Sequence, residues 1–365
     1  LSELQDIPDK PLRRGYTTGA CATACVKGAL LGLVTQEINK EVAVTLPIGE
    51  TVNFQLKDFF ISENQCTCTT IKDAGDDPDV THLAEITATV VLNNTKEIIF
   101  KRGEGVGLVT LPGLEIAVGE PAINPVPRKM MATVCKKILS DYNLETHGVT
   151  IIISVKEGER IAKKTLNSRL GILYGISILG TSGIVTPFSA ASYIASIKQG
   201  IDVAIANKTT TLLINSGARS EKIIRKLFPN TPETACIHYG NWIQETFEKI
   251  NSIPEITEVN MGIMLGKAAK LAKGDMNTHS GKTTWDKHFI SELAKEAGYS
   301  NKITESILTL NMAGRLREIF IFAQQEKFYQ LLLQKCYSHC KKIAPNISLN
   351  LFLINNNGEH IKYTL

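Results

Sequence analysis

Apolar and polar residues alternate in five short runs in the first half of the chain. These are Glu41 to Leu46, Thr51 to Lys57, Cys66 to Ile71, Glu85 to Leu92 and Glu97 to Lys101. A period of two predicts half-buried strands. Ahead of them, Thr18 to Val34 is an Ala-rich apolar stretch that predicts a helix, opened by Tyr16-Thr17-Thr18-Gly19. The threonine hydroxyls can cap its first turn, whose free N–H groups favour an anion. From Gly103 to Pro127 glycine and proline break every period, and Pro127 then opens a helix to about Tyr142. Several strands with few helices predict an α+β domain over residues 1–150.

The rhythm changes in the second half. Thr210 to Gly217, Ala235 to Asn241 and Glu258 to Gly262 are short apolar runs ending in small polar residues. Helical patterns follow them through Leu227, Ile250 and Lys273. Three such units in series predict a doubly wound, mostly parallel α/β domain over residues 151–365. Ligands of such sheets gather at the strand carboxyl ends, here near Asn215, Gly217, Gly240, Asn241 and Gly262. Helices are expected from Trp285 to about Ile343, and a late strand from Ile347 to Ile354.

Composition narrows the class. The 365 residues carry a formal charge of +4, too balanced for an extended nucleic-acid surface. No run approaches ~18 uninterrupted apolar residues, so no membrane span is expected. The eight cysteines lack zinc-finger spacing and are expected as reduced thiols in a cytoplasmic protein, with no metal site.

Four loops could carry chemistry. Lys72 to His82 places Asp73, Asp76, Asp77 and Asp79 around Gly75 and Pro78. Like charges this close repel, which suits a loop facing a cation, a mobile proton or a set of donors. A solvated acidic turn, or a Ca²⁺-binding one, fits the same residues. Gly103-Glu104-Gly105-Val106-Gly107 follows an apolar strand as a nucleotide-binding glycine loop would. Extended chain rather than a helix follows it, which argues against a nucleotide-binding domain and leaves a glycine loop that lets backbone approach a ligand. Ile176 to Pro187 is a Gly/Ser/Thr loop through Thr181 that suits carboxylates or phosphates, or simply enters a capped helix. His279, among hydroxyls, reads as a general base or as a hydrogen-bonded loop histidine.

Taken in order, these motifs resemble the CbiD family, the cobalt-precorrin-5B (C-1)-methyltransferases of anaerobic cobalamin biosynthesis. The resemblance rests on Arg13 to Gly19, the Pro47-Ile48-Gly49 turn, the aspartate loop, and Gly103 to Gly113 continuing as Gly119 to Arg128. It continues through Thr165 to Gly171, Ile176 to Pro187 and Asn277 to Ser280. Four positions depart from the family pattern: Ile263-Met264 replaces a Gly-His pair, Arg102 replaces a glycine, and Leu83 stands where a small residue is common.

The resemblance implies methyl transfer from S-adenosyl-L-methionine to ring carbon C-1 of a corrinoid precursor that brings its own cobalt. It implies catalytic roles for Asp73, Asp76, Asp77 and His279, and donor contacts at Thr18, Gly19, Glu104, Gly105, Gly107 and Thr181. Arg14, Asn124, Arg128 and Arg169 would bind the substrate. A homo-oligomer is compatible with this reading. A tetrapyrrole carrier without chemistry, or a hydrolase using His279, would be its rivals.

Overall fold

The computed structural model describes residues 11–279 and 285–365. Ser280, the last residue of the fourth motif, lies outside the described residues. The described residues form two compact units that divide between Ser189 and Ala190. The expected boundary after residue 150 would cut the strand Gly148–Val155. That strand pairs with Glu85–Asn93 on one side and Ile98–Arg102 on the other, so it belongs to the first unit.

The first unit is built on a five-stranded mixed sheet in the order Lys57–Ile61, Gln65–Ile71, Glu85–Asn93, Gly148–Val155, Ile98–Arg102. All neighbours are antiparallel except the last pair. The alternation read from sequence is real: Ile86, Ala88 and Val90 face the core together with Val149, Ile151, Ile153 and Val155. The edge strand Lys57–Ile61 was not legible, because a register shift between Lys57 and Phe60 breaks its period.

Two helices, Thr18–Thr35 and Pro125–Asp141, pack against the same core. The first is made of Ala, Gly, Cys and Thr and is buried on nearly every side, as expected of a helix with no polar face. Its length and hydropathy would suffice for a membrane span, yet 78% of it is buried within the fold. Small side chains let neighbours come close: a Cβ added at Gly28 would sit 2.2 Å from a Leu56 methyl.

In the second unit the sheet order is Cys236–His238, Thr211–Asn215, Glu258–Met264, Ser348–Ile354, His360–Tyr363. The first four strands are parallel and the last is an antiparallel edge. Helix Ala218–Leu227 covers one face through Ile224 against Leu213, Phe352 and Ile354. Helices Ile243–Asn251, Leu265–Lys273 and Lys327–Ile343 share the larger core with Leu212, Ile214, Met261 and Leu351. After Thr211–Asn215 the chain crosses to one neighbour, and it returns to Glu258–Met264 on the other side. The strand order therefore reverses at Asn215 and Gly262, which are register partners.

Candidate functional site

In the first unit the motifs scattered along the sequence come together. Backbone bonds do the gathering. Tyr16 N–H donates to Asp73 O at 2.7 Å, and Asp76 N–H to Arg13 O at 3.0 Å. Gly15–Tyr16 also pairs with Ile184–Val185. Only glycines permit this contact: a Cβ on Gly15 would lie 2.0 Å from the Ala74 carbonyl carbon, and one on Gly75 2.2 Å from Arg13 O. The two segments are thus interlocked, main chain on main chain.

Each aspartate of the loop has a different fate. The Arg13 guanidinium grips both oxygens of Asp73, with the Nη2–Oδ1 bond at 2.9 Å, and Gly75 N–H adds a third donor. The Arg13 bond holds the Asp73 carboxyl down at about 2. Asp73 therefore stays ionised near neutrality, with its charge engaged by Arg13.

Asp79 accepts from Lys72 Nζ at 2.6 Å and from the amide and hydroxyl of Thr81. Burial would raise its carboxyl, but the charge and hydrogen bond of Lys72 outweigh this and hold it below the usual range. Lys72 itself is 1% exposed, an internal counter-ion that sequence reading passed over.

Asp76 accepts Arg13 N–H at 2.8 Å and is otherwise exposed. Asp77 accepts Phe188 N–H at 2.9 Å. Burial raises its carboxyl above the usual range, reinforced by Asp79 and offset by Phe188 N–H and Lys72. Among the described residues, neither Asp76 nor Asp77 has a cationic side chain within 4 Å. His82 Nδ1 accepts Ala74 N–H at 3.1 Å, which places the proton of a neutral ring on Nε2. Its 3.9 Å approach to Asp73 is too long for a hydrogen bond.

The Asp73 pairing makes a stability prediction. A carboxyl held lower in the folded state than its unfolded value of roughly 3.9 stabilises the fold above that value and ceases to as pH falls toward 2. Thermal midpoints should therefore fall more steeply from about pH 4 toward pH 2 (roughly the interval between the unfolded and folded values) in the wild type than in Asp73→Asn. Because the pair is exposed, the difference should be modest. Parallel curves for the two proteins would exclude the coupling.

The expected donor contacts fare less well. Thr18 and Gly19 are buried. Thr18 Oγ1 lies against the backbone of Ser177 and Leu179, while Gly19 N–H donates to Leu179 O at 2.9 Å. Ala20 N–H is taken by Thr17 Oγ1 at 3.2 Å, so the helix start is capped from within. Gly105 and Gly107 are buried as well. A Cβ on Gly105, whose φ is +72°, would lie 2.0 Å from Val155 O. Gly107 N–H donates to Ile176 O at 2.8 Å and Ile176 N–H to Gly105 O at 3.0 Å. The glycine loop is a seam of backbone packed and hydrogen-bonded against backbone. Glu104 and Thr181 remain exposed.

Of the substrate-binding candidates, Arg14 is exposed and makes no hydrogen bond or ion pair among the described residues. Arg128 is committed to the fold: it donates to Ile123 O at 2.8 Å, to Pro121 O and Glu120 at 3.1 Å, and lies over the Phe100 ring. Asn124 stands at the N-cap of Pro125–Asp141 without a side-chain capping bond, its own N–H on Ile178 O. Arg169 sits half-buried in a 3-10 turn, Asn167–Leu170. His279 belongs to the second unit, where its N–H donates to Asn277 Oδ1 at 3.2 Å.

The thiols are out of play as nucleophiles. All eight are buried, and burial pushes Cys21 and Cys135 up to about 12 and Cys66 to about 11.

A family model described as CbiD matches residues 5–187, and one described as CbiD, C-terminal domain, matches residues 277–364. A Cobalt-precorrin-5B C(1)-methyltransferase of Priestia megaterium is 42% identical over 98% of both chains. The chain belongs to the CbiD family. Other CbiD relatives of the same name come from Geobacillus kaustophilus, 43% identical over 96% of this chain and 94% of that one, and from Prosthecochloris aestuarii, 40% over 94% of each. A solved cobalamin biosynthesis protein (cbiD) of Archaeoglobus fulgidus is 27% identical, with a TM-score of 0.40 over 75% of this chain and 84% of that chain. The CbiD match to residues 5–187 ends within two residues of Ser189, the last residue of the first compact unit. Of the departures from the CbiD pattern, Leu83 adopts a left-handed φ of +62°.

Proposed function

We propose that this protein is a cobalt-precorrin-5B C(1)-methyltransferase that uses S-adenosyl-L-methionine as its methyl donor. The observation that carries this reading is the 42% identity to an enzyme so named over 98% of both chains. A carrier without chemistry is not favoured, since the relatives bear the name of a methyltransferase.

The residues of the acidic loop fit a cationic donor by charge. Two carboxylates, Asp76 and Asp77, are not neutralised by a cationic side chain, whereas Asp73 and Asp79 are. When bound, the donor supplies an electrophilic methyl group on a sulfonium. Asp76, exposed, faces that positive charge. Asp77 takes up the proton that the corrinoid ring releases when a methyl replaces hydrogen, for which a raised carboxyl is suited. Arg14 meets a carboxylate of the substrate, whose cobalt arrives with it. The glycine seam at Gly105 positions the loops without touching the donor.

Titration calorimetry with S-adenosylhomocysteine tests the reading. Micromolar binding (Kd on the order of 10 μM) is expected, weakened in Asp76→Asn. No heat with or without a corrinoid present would reject it.

A further inference from the structure

Where the acidic loop ends at Val80 and His82, the first unit holds a cleft of about 340 Å³. One wall is the turn Val80 to Glu85; the other is the segment Lys156 to Lys164 that leaves the sheet. Lys156 N–H donates to Glu85 O at 3.1 Å and ties the two walls at the base. We propose that this cleft is a binding subsite for an apolar edge of a ligand that bears carboxylates, namely the corrinoid substrate. The assignment rests on the proposed function and adds a place and a chemistry to it.

Three observations converge on it. The lining is amphipathic, with Val80, Leu83, Ala84 and Ile161 beside Lys156, Arg160 and Lys164. Leu83 is 65% exposed and Val80 38%, so two apolar side chains on one lip stand in water. Solvating them is unfavourable, and an apolar ligand edge would relieve it.

The second observation is backbone conformation. Leu83 on one lip and Glu157 on the other hold left-handed φ values of +62° and +54°. Non-glycine residues adopt this conformation only when their surroundings hold them in it, and such residues cluster at ligand clamps. Their neighbours hold them there: Leu83 N–H donates to Lys72 O at 2.8 Å, and Glu157 O accepts Ile161 N–H at 3.0 Å.

The third is charge. Three cationic side chains line the cleft against two carboxylates, Glu85 and Glu157. Glu85 is shared between Lys156 at 3.2 Å and Lys57 at 2.8 Å, and Glu157 is held by Arg160. Lys164 has no carboxylate within 4 Å among the described residues. A carboxylate at this mouth therefore meets positive charge that no internal acid cancels. The volume admits a pyrrole-sized edge with its acid side chain rather than a whole tetrapyrrole. His82 links the cleft to the acidic loop, lining the one and accepting Ala74 N–H of the other.

The test uses the full chain and cobyrinic acid, a corrinoid with free carboxylates, alongside its heptamethyl ester. Calorimetry should show the acid binding more tightly than the ester. The double substitution Lys156→Glu with Lys164→Glu should weaken acid binding by about tenfold or more, and Leu83→Ser should weaken both ligands. All three side chains are exposed, so folding should persist, as unchanged S-adenosylhomocysteine binding would verify. Acid binding unaltered by the charge reversals overturns the cleft alone, as does equal wild-type binding of acid and ester. A wild-type protein that binds neither corrinoid overturns the proposed function and the cleft with it.

Discussion

Asp77→Asn should lower kcat by about a hundredfold while leaving KM for the methyl donor within a few-fold, because removing a positioned proton acceptor slows the chemical step. Asparagine keeps the acceptor oxygen for Phe188 N–H and loses only the charge. The stability readout has a definite sign. A carboxyl raised in the folded state is one whose ionisation opposes folding, so its contribution falls as pH rises through the unfolded value to the folded one. At pH 7 the amide removes that opposition, and the variant should melt no lower than the wild type. The wild-type rate should fall as pH drops toward the carboxylate range and Asp77 takes up its proton, at a pH above that of an ordinary aspartate. A variant that turns over normally would exclude Asp77, and one that is inactive because it melts early would show that the residue serves the fold.

Gly105→Ala is the second large effect, and it separates two readings of the same residue. If the glycine loop held the methyl donor, a methyl group there would weaken donor binding and leave the fold intact. The structure puts that methyl 2.0 Å from Val155 O and 2.9 Å from Gly158 N at a φ of +72°. Main-chain atoms cannot move aside as a flexible side chain does, so we expect a cost of about 4 kcal/mol or more. For a unit of this size that lowers the thermal midpoint by roughly 8–16 °C. An alanine variant of normal stability and poor donor affinity would reverse the assignment.

The sequence was legible where local pattern and tertiary structure agree. Strand Glu85–Asn93 shows its period because one face is buried, and the three β-to-helix units of the second half appear as read. Gly148–Val155 was missed as an inner strand of the first unit's sheet because its apolar run resembles the start of a parallel sheet. The edge strand His360–Tyr363 is too short to show a period. At the site, the aspartate crowding was visible, but the division of labour was not. Which carboxylate is neutralised depends on Arg13, 60 residues away from Asp73, and on whether Lys72 is buried. Nothing local marks Leu83 and Lys164 as sharing a cleft, since their segments meet through the backbone bond of Lys156 to Glu85. Gly105 carried a real signal with two causes, close backbone approach to a ligand or to the protein itself.

The interlocked glycines at 15 and 75 also say something about the order in which the molecule forms. Their clasp spans 63 residues through Arg13 and Asp76, and the adjoining contact of Thr18 with Leu179 spans 161. Closing such distant loops is slow and entropically costly, and little of that cost is returned until both ends are docked. The acidic loop should therefore be among the last parts to assemble during folding and among the first to open afterwards. Amide exchange at Tyr16 and Asp76, whose N–H groups are fastened across the clasp, would then time the completion of the site independently of the sheet beneath it.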